Sequence, residues 1–298
     1  MAPLRFAANL QWLFAEAPGG GAGAGAGAGA GSGLGLAAVA ARAEAAGRAG
    51  FRAAELPWPF ACAAPDLRRA LERAGLRLVL LNTPPGAAAR GEMGLGAVPG
   101  RQHDFRQGLA LAVRYARELA CPRIHIMAGQ VPEGADRAAL AAEMEATFVD
   151  NLRHAASVLA QEDMVGLLEP INTRITDPRY FLSTPQQAAA ILEQVGQPNL
   201  KLQLDVFHLQ IMDGNLTRNL ETYFPLVGHI QIAQVPARQE PDTHGEVNFP
   251  YLFQQLESLG YTGYVGCEYT PRGDTAEGLG WLREYWQSRG LEPSGSIL

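Results

Sequence analysis

The chain has 298 residues, 47% of them hydrophobic, with a net charge of −6 and a pI near 5.6. That length buries a large core, as one big α/β unit or two ordinary domains. The acidic balance and the lack of any Lys/Arg-rich block argue against a nucleic-acid partner. No apolar run is long enough to cross a bilayer and the first ten residues lack the apolar core of a secretory signal, so a cytoplasmic protein is expected.

Residues 4–10 read as a first strand. Residues 19–33 are almost pure Gly-Ala alternation, with nothing to pack and a large ordering entropy, and are expected to form a flexible surface loop. An Ala-rich helix over 36–49 stops at Gly50; a short strand at 52–56 runs into Pro57-Trp58-Pro59. Residues 65–74 form a helix with proline in its first turn, closed by Gly75. The buried strand 77–82 leads into a long Gly-rich loop reaching Gly100, of the kind that often carries function. Phe105, Leu109, Val113 and Ala116 step along one face of a helix over 102–120. A strand follows at 124–128. The spacing of Leu140, Met144, Phe148, Leu152, Ala155 and Leu159 predicts a long helix.

The second half repeats one pattern. Residues 165–172 read VGLLEPIN: an apolar run ends in Glu169 and a proline follows at once. Such a run reads as a strand buried on both faces. The strand 200–205 ends in Asp205, 228–233 carries Gln231 near its end, and 263–268 ends in Glu268. Helices over 185–195, near 215–224, over 251–259 and around Leu279, Leu282, Tyr285 and Trp286 alternate with them, and the last eight or so residues look frayed. Eight strand-like runs, each followed by a helix, imply a parallel sheet with helices outside, and the count matches a single (β/α)8 barrel over residues 1–298. A doubly wound open sheet fits less well, because the first β–α turn has no G-x-G-x-x-G fingerprint.

In a barrel the C-terminal strand ends converge on one mouth. Glu169, Asp205, Gln231 and Glu268 would meet there. Three carboxylates in a partly dry mouth repel one another, and at least one would hold a proton unless a cation intervenes. If Gln231 turns its carbonyl inward, the all-oxygen set suits Mg²⁺ or Mn²⁺ better than Zn²⁺. His208 and His229 could soften the set, although each alone fits a structural or substrate-facing role better. A lone acid at a strand end is often just the cap of the next helix, and Asp205 has that alternative; four in register are hard to ascribe to chance. Glu92 and Glu246, in loops, read as solvated, while Trp12 and Trp58 either wall the pocket or pack the barrel. Cys62, Cys121 and Cys267, odd in number and widely spaced, read as reduced thiols. Two glutamates on opposite sides of a carbonyl compound suit proton abstraction beside the carbonyl and its return to the neighbouring carbon. An isomerase or epimerase of a small hydroxy-carbonyl compound follows.

The segments RFAANLQWLF, NTPPG, GEMGLGAVPGR, LLEPINTR, DVFHLQIMDGNLT, GHIQIAQVPARQEP, GEVNFPYLF and VGCEY resemble those of the hydroxypyruvate isomerases, a group of xylose-isomerase-like barrels. The likeness covers nearly the whole chain and is nearest to the vertebrate members. It implies interconversion of hydroxypyruvate and 2-hydroxy-3-oxopropanoate, with Glu169 and Glu268 as proton donor and acceptor. It also implies a metal site at Glu169, Asp205, Gln231 and Glu268, with His208 and Arg238 lining the substrate pocket. The first β–α loop departs from the group, with the Gly-Ala tract where its members have a short helix entry. An epimerase or another keto-acid isomerase on the same metal site is the alternative. A metal-dependent endonuclease would need a histidine-rich mouth and a basic face, and a non-catalytic binding barrel is the bland reading. A homo-oligomer is compatible with the sequence.

Overall fold

The computed structural model describes residues 2–19 and 33–291. Most of the Gly-Ala tract (20–32) and the last seven residues lie outside them, as does the expectation of a flexible loop there.

The chain winds through β1 (Arg5–Asn9), α1 (Leu36–Arg48), β2 (Ala53–Glu55), α2 (Ala64–Arg73), β3 (Arg77–Asn82), α3 (Gln102–Glu118) and β4 (Arg123–His125). It continues through α4 (Arg137–Ala160), β5 (Val165–Leu168), α5 (Pro185–Val195), β6 (Leu200–Asp205), α6 (Val206–Met212) and α7 (Leu216–Tyr223). β7 (Val227–Ile232), α8 (Phe249–Ser258), β8 (Tyr264–Cys267) and α9 (Gly280–Ser288) complete it. The eight strands pair in chain order, all parallel, and β8 closes on β1. This is the (β/α)8 barrel expected from the alternation.

Strand alternation decides which side chains enter the barrel. On β1, Phe6 and Ala8 face the helices, with Phe6 edge-on to Phe253, Trp281 and Tyr285, and join the main core. Ala7 faces the opposite way and packs with Ala53, Val79 and Tyr264 in a small cluster of its own. Two of these four inner residues are alanines, and a glycine clears space for a polar side chain nearer the mouth. Gly266 is one such cut-back position: a Cβ there would lie 1.9 Å from Glu55 Oε1. The register sets the height of the polar layer, since Asn9 pairs with Glu55, Asp205 with Gln231, and Gln231 with Gly266.

Two elements differ from expectation. β4 is shorter than 124–128, because after Ile126, whose N–H still donates to Leu167 of β5, the chain leaves the sheet to pair with the β3–α3 loop. There Gly96 and Ala97 donate to the carbonyls of Met127 and Ala128. Secondly, α6 starts directly at the end of β6. Asp205 caps it, accepting from the Phe207 N–H at 2.7 Å.

Candidate active site

Glu169 follows β5 and is buried; Asp205 ends β6, Gln231 lies one residue short of the end of β7, and Glu268 follows β8. The structure therefore brings all four residues to one end of the barrel. Their environments differ.

Asp205 does two jobs. Oδ1 caps α6, while Oδ2 has no hydrogen-bond partner among the described residues and lies 3.6 Å from His208 Nε2 and 3.7 Å from Arg238 Nη2. The first turn of α6 is what carries His208 over the carboxylate of Asp205, three residues earlier. His208 Nε2 also lies 3.9 Å from Glu169 Oε1, so one atom each of Glu169, Asp205 and His208 fall within 4.8 Å of one another. The tautomer limits what His208 can do there. Its Nδ1 sits 2.8 Å from Asn172 Nδ2, and Asn172 Oδ1 already accepts from the N–H groups of Ile175 and Thr176. Asn172 therefore donates to Nδ1, and the imidazole proton sits on Nε2. His208 presents a donor to the mouth, which suits a substrate oxygen better than a cation.

Arg238 and Glu268 form the other wall. Arg238 Nη2 donates to Glu268 Oε2 at 2.7 Å, and the guanidinium lies between the rings of Trp12 and Phe207, 4.7 and 4.9 Å from their centres. The Arg238 backbone is left-handed, with φ of 52°, a conformation that costs a non-glycine residue about 1–2 kcal/mol. The loop absorbs that cost because the buried Gln234 pins it: Oε1 accepts from Val235 and Val247, and Nε2 donates to the carbonyls of Pro241, Thr243 and Val247.

Gln231 is held from two sides. Its Nε2 donates to Glu55 Oε2 at 2.9 Å and its Oε1 accepts from Gln203 Nε2 at 2.6 Å. Turning the amide over would set its oxygen against the Glu55 carboxylate, so this orientation is the one the network demands. One lone pair of Oε1 remains for another partner.

Burial pushes the Glu169 carboxyl well above the usual carboxylate range, and the charges of Glu268 and Asp205 push the same way. Burial also raises Glu268, to about 8, with Arg238 opposing and Asp205 adding. Asp205 is raised by burial against the pull of Arg238. His208 is lowered well below its ordinary value by burial, then by Arg238 and His125. The mouth thus holds neutral imidazoles and carboxyls that bind protons readily. Glu169 and Asp205 offer carboxylate oxygens that suit a hard divalent cation, and Asp205 Oδ2, without a hydrogen-bond partner among the described residues, is an atom such an ion would satisfy; Glu268 lies outside the group whose atoms fall within 4.8 Å of one another.

Several residues here were not singled out from sequence. His125, at the end of β4, is buried with neither ring nitrogen hydrogen-bonded among the described residues, and its Nδ1 lies 3.2 Å from Glu169 Oε2. Burial lowers it to about 3, so it is a neutral imidazole. Asn9, Glu55, Asn172 and Gln203 likewise buttress the site. The signal was present for Glu55, which ends an apolar strand just as Glu169 does. Glu92 is remote from this group: it accepts from the Ala87 N–H and pairs with Arg90 and Arg101, bracing the β3–α3 loop.

Residues 43–285 match the xylose isomerase-like TIM barrel family. A human protein named "Putative hydroxypyruvate isomerase" is 64% identical over 295 residues, which is 99% of this chain and 100% of that protein. The 2-oxo-tetronate isomerase of Cupriavidus necator is 47% identical over 241 residues, 81% of this chain and 90% of its own. A crystal structure of a Brucella melitensis protein, described as AP endonuclease, family 2, is 42% identical. It covers 95% of this chain and 99% of that one, with a TM-score of 0.83.

Proposed function

The chain belongs to the xylose isomerase-like TIM barrels and is an isomerase; we propose that it interconverts hydroxypyruvate and 2-hydroxy-3-oxopropanoate through an enediolate. The observation that carries this reading is the pair Glu169 and Glu268. Glu169 is buried and Glu268 half-buried at one mouth, and both are held above the usual carboxylate range, which suits a carboxyl that gives and takes protons.

In hydroxypyruvate the C2 ketone acidifies the hydrogens on C3. One glutamate removes a C3 proton, leaving an enediolate over C2 and C3. The other delivers a proton to C2, and the hydroxyl proton passes from O3 to O2, so that C3 becomes the aldehyde. The costly feature is the negative charge on the enediolate oxygen. His208 Nε2–H faces the space between Glu169 and Asp205 and is the donor suited to that oxygen. Being neutral, it donates without giving up its proton to the substrate. Arg238, clamped between two rings, supplies a fixed cation for the substrate carboxylate.

Glu169, Asp205, Gln231 and Glu268 are the residues that would hold Mg²⁺ or Mn²⁺. When bound, such a cation adds charge stabilisation at the enediolate oxygens.

The two named relatives act, by their names, on 2-oxo acids of three and four carbons. Comparing kcat/KM for hydroxypyruvate and 2-oxo-tetronate tests the substrate directly. A clear preference for hydroxypyruvate is expected. A preference for the four-carbon acid would move the activity to that substrate, and inactivity on both would end the reading.

A further inference from the structure

Beneath the mouth lies a carboxylate that the mechanism above does not use. Glu55 ends β2 and is fully buried inside the barrel. Its side chain crosses over β8, through the space left by Gly266, to reach β7 on the far side. Three side chains converge on it. Oε1 lies 2.5 Å from His229 Nε2, and Oε2 accepts from Asn9 Nδ2 and Gln231 Nε2, each at 2.9 Å. Asn9 Oδ1 is occupied by the Gln11 N–H, so the Asn9 amide has only one way to face. Its NH₂ group then reaches Glu55 on one side and Glu268 Oε1, at 3.3 Å, on the other.

We propose that Glu55 is a positioning residue for Glu268, acting through the Asn9 amide that bridges the two carboxylates. The proposal rests on reading Glu268 as one of the two acid–base groups. Glu55 Oε2 accepts from both amides, so Glu55 fixes the NH₂ ends of Asn9 and Gln231 inward. Glu268 is thereby held at both oxygens: Oε1 by Asn9 and Oε2 by Arg238. A carboxylate in the dry interior of a barrel is costly, and a leucine of similar volume would often serve stability as well or better. Its three convergent partners and the missing Cβ at Gly266 describe a built arrangement, aimed at the mouth and not at the core.

The test compares Glu55→Leu, Glu55→Gln and Glu268→Gln in the full chain, with kcat and KM for hydroxypyruvate measured on folded protein. Glutamine keeps an oxygen for Asn9 and Gln231 and turns its NH₂ to His229 Nε2, whose proton moves to the unpartnered Nδ1. The expected result is a kcat at least 30-fold lower for Glu55→Leu with KM within threefold, and recovery of at least tenfold of that loss in Glu55→Gln. A role in stability alone would lower the melting temperature and leave kcat of the folded protein unchanged, and that outcome overturns the proposal. An equal loss in the glutamine variant overturns it too, since charge and not orientation would then matter. Should Glu55→Leu fail to fold, Asn9→Ser breaks the same link with Glu55 in place. Its kcat must then fall at least tenfold with KM kept, or the proposal fails. Normal turnover by Glu268→Gln would overturn the acid–base reading itself, and this proposal with it; impaired Glu268→Gln beside unimpaired Glu55→Leu overturns this proposal alone.

Discussion

Changing Arg238 to lysine keeps a positive charge at the mouth and removes the plane that places it. In the native structure the guanidinium sits between Trp12 and Phe207 and donates to Glu268 Oε2 at 2.7 Å, with Asp205 Oδ2 3.7 Å from the same nitrogen. A lysine ammonium is a strongly hydrated point charge with no flat face for two rings and no fork for a substrate carboxylate. Losing the stacking costs about 1 kcal/mol. Losing one arm of a charge-assisted pair costs about 1–2 kcal/mol more. Together these correspond to a fall in kcat/KM of roughly 30- to 150-fold. Most of it should fall on KM, raised at least tenfold, because the carboxylate is gripped equally before and during the chemical step. Initial-rate kinetics on hydroxypyruvate, with circular dichroism to confirm folding, measure both parameters. An Arg238→Lys enzyme with native KM and kcat would refute the assignment of Arg238 as the carboxylate anchor.

Removal of divalent cations by chelation and dialysis should abolish turnover, and Mg²⁺ or Mn²⁺ should restore it; full activity in protein shown metal-free by elemental analysis would contradict the cation proposal. Gly266→Ala places a methyl 1.9 Å from Glu55 Oε1 and should lower stability. The cost of such overpacking is about 1–3 kcal/mol, seen as a drop of about 3–10 °C in Tm. An unchanged Tm would mean that Glu55 swings aside at no cost. Burial pushes the Cys121 thiol up to about 12 and the Cys267 thiol well above its usual value, so a disulfide reagent at pH 8 should titrate at most Cys62 before unfolding. Fast reaction of two or three thiols in the native protein would contradict the packing.

Strands five to eight were legible because a charged or amide side chain ended each apolar run, which packing alone does not explain. The same reasoning applied to 52–56 would have reached Glu55, but two alanines make a weak strand signal and the acid there passes as a surface residue. Helix α6 escaped notice for a different reason. VFHLQIM follows Asp205 with no turn between, and the residue that marks the strand end is also the helix cap. The apolar, buried run Ile126, Met127 and Ala128 reads as more of β4, yet only Ile126 still bonds to β5, through Leu167, while Met127 and Ala128 pair with the β3–α3 loop. Sequence distance hides the rest. The bridge from Glu55 through Asn9 to Glu268 joins residues 46 and 259 positions apart, and Arg238 reaches Glu268 across 30. The His208 tautomer depends on Asn172, 36 residues away, and on what Asn172 does with its own oxygen. Such links exist only once the barrel closes.

The two-glutamate mechanism is tested most directly by following hydroxypyruvate in deuterated water with Glu169→Gln and Glu268→Gln. Glutamine keeps the size of each side chain and an oxygen atom but cannot take up a proton. Each change should lower kcat by about 10²- to 10⁴-fold, the usual cost of losing an acid–base group. Proton NMR of the C3 hydrogens then separates the roles. One variant, its base intact, should exchange a C3 hydrogen for deuterium without forming 2-hydroxy-3-oxopropanoate; the other should do neither. Near-native turnover by both variants would contradict the account and move the base to another group at the mouth.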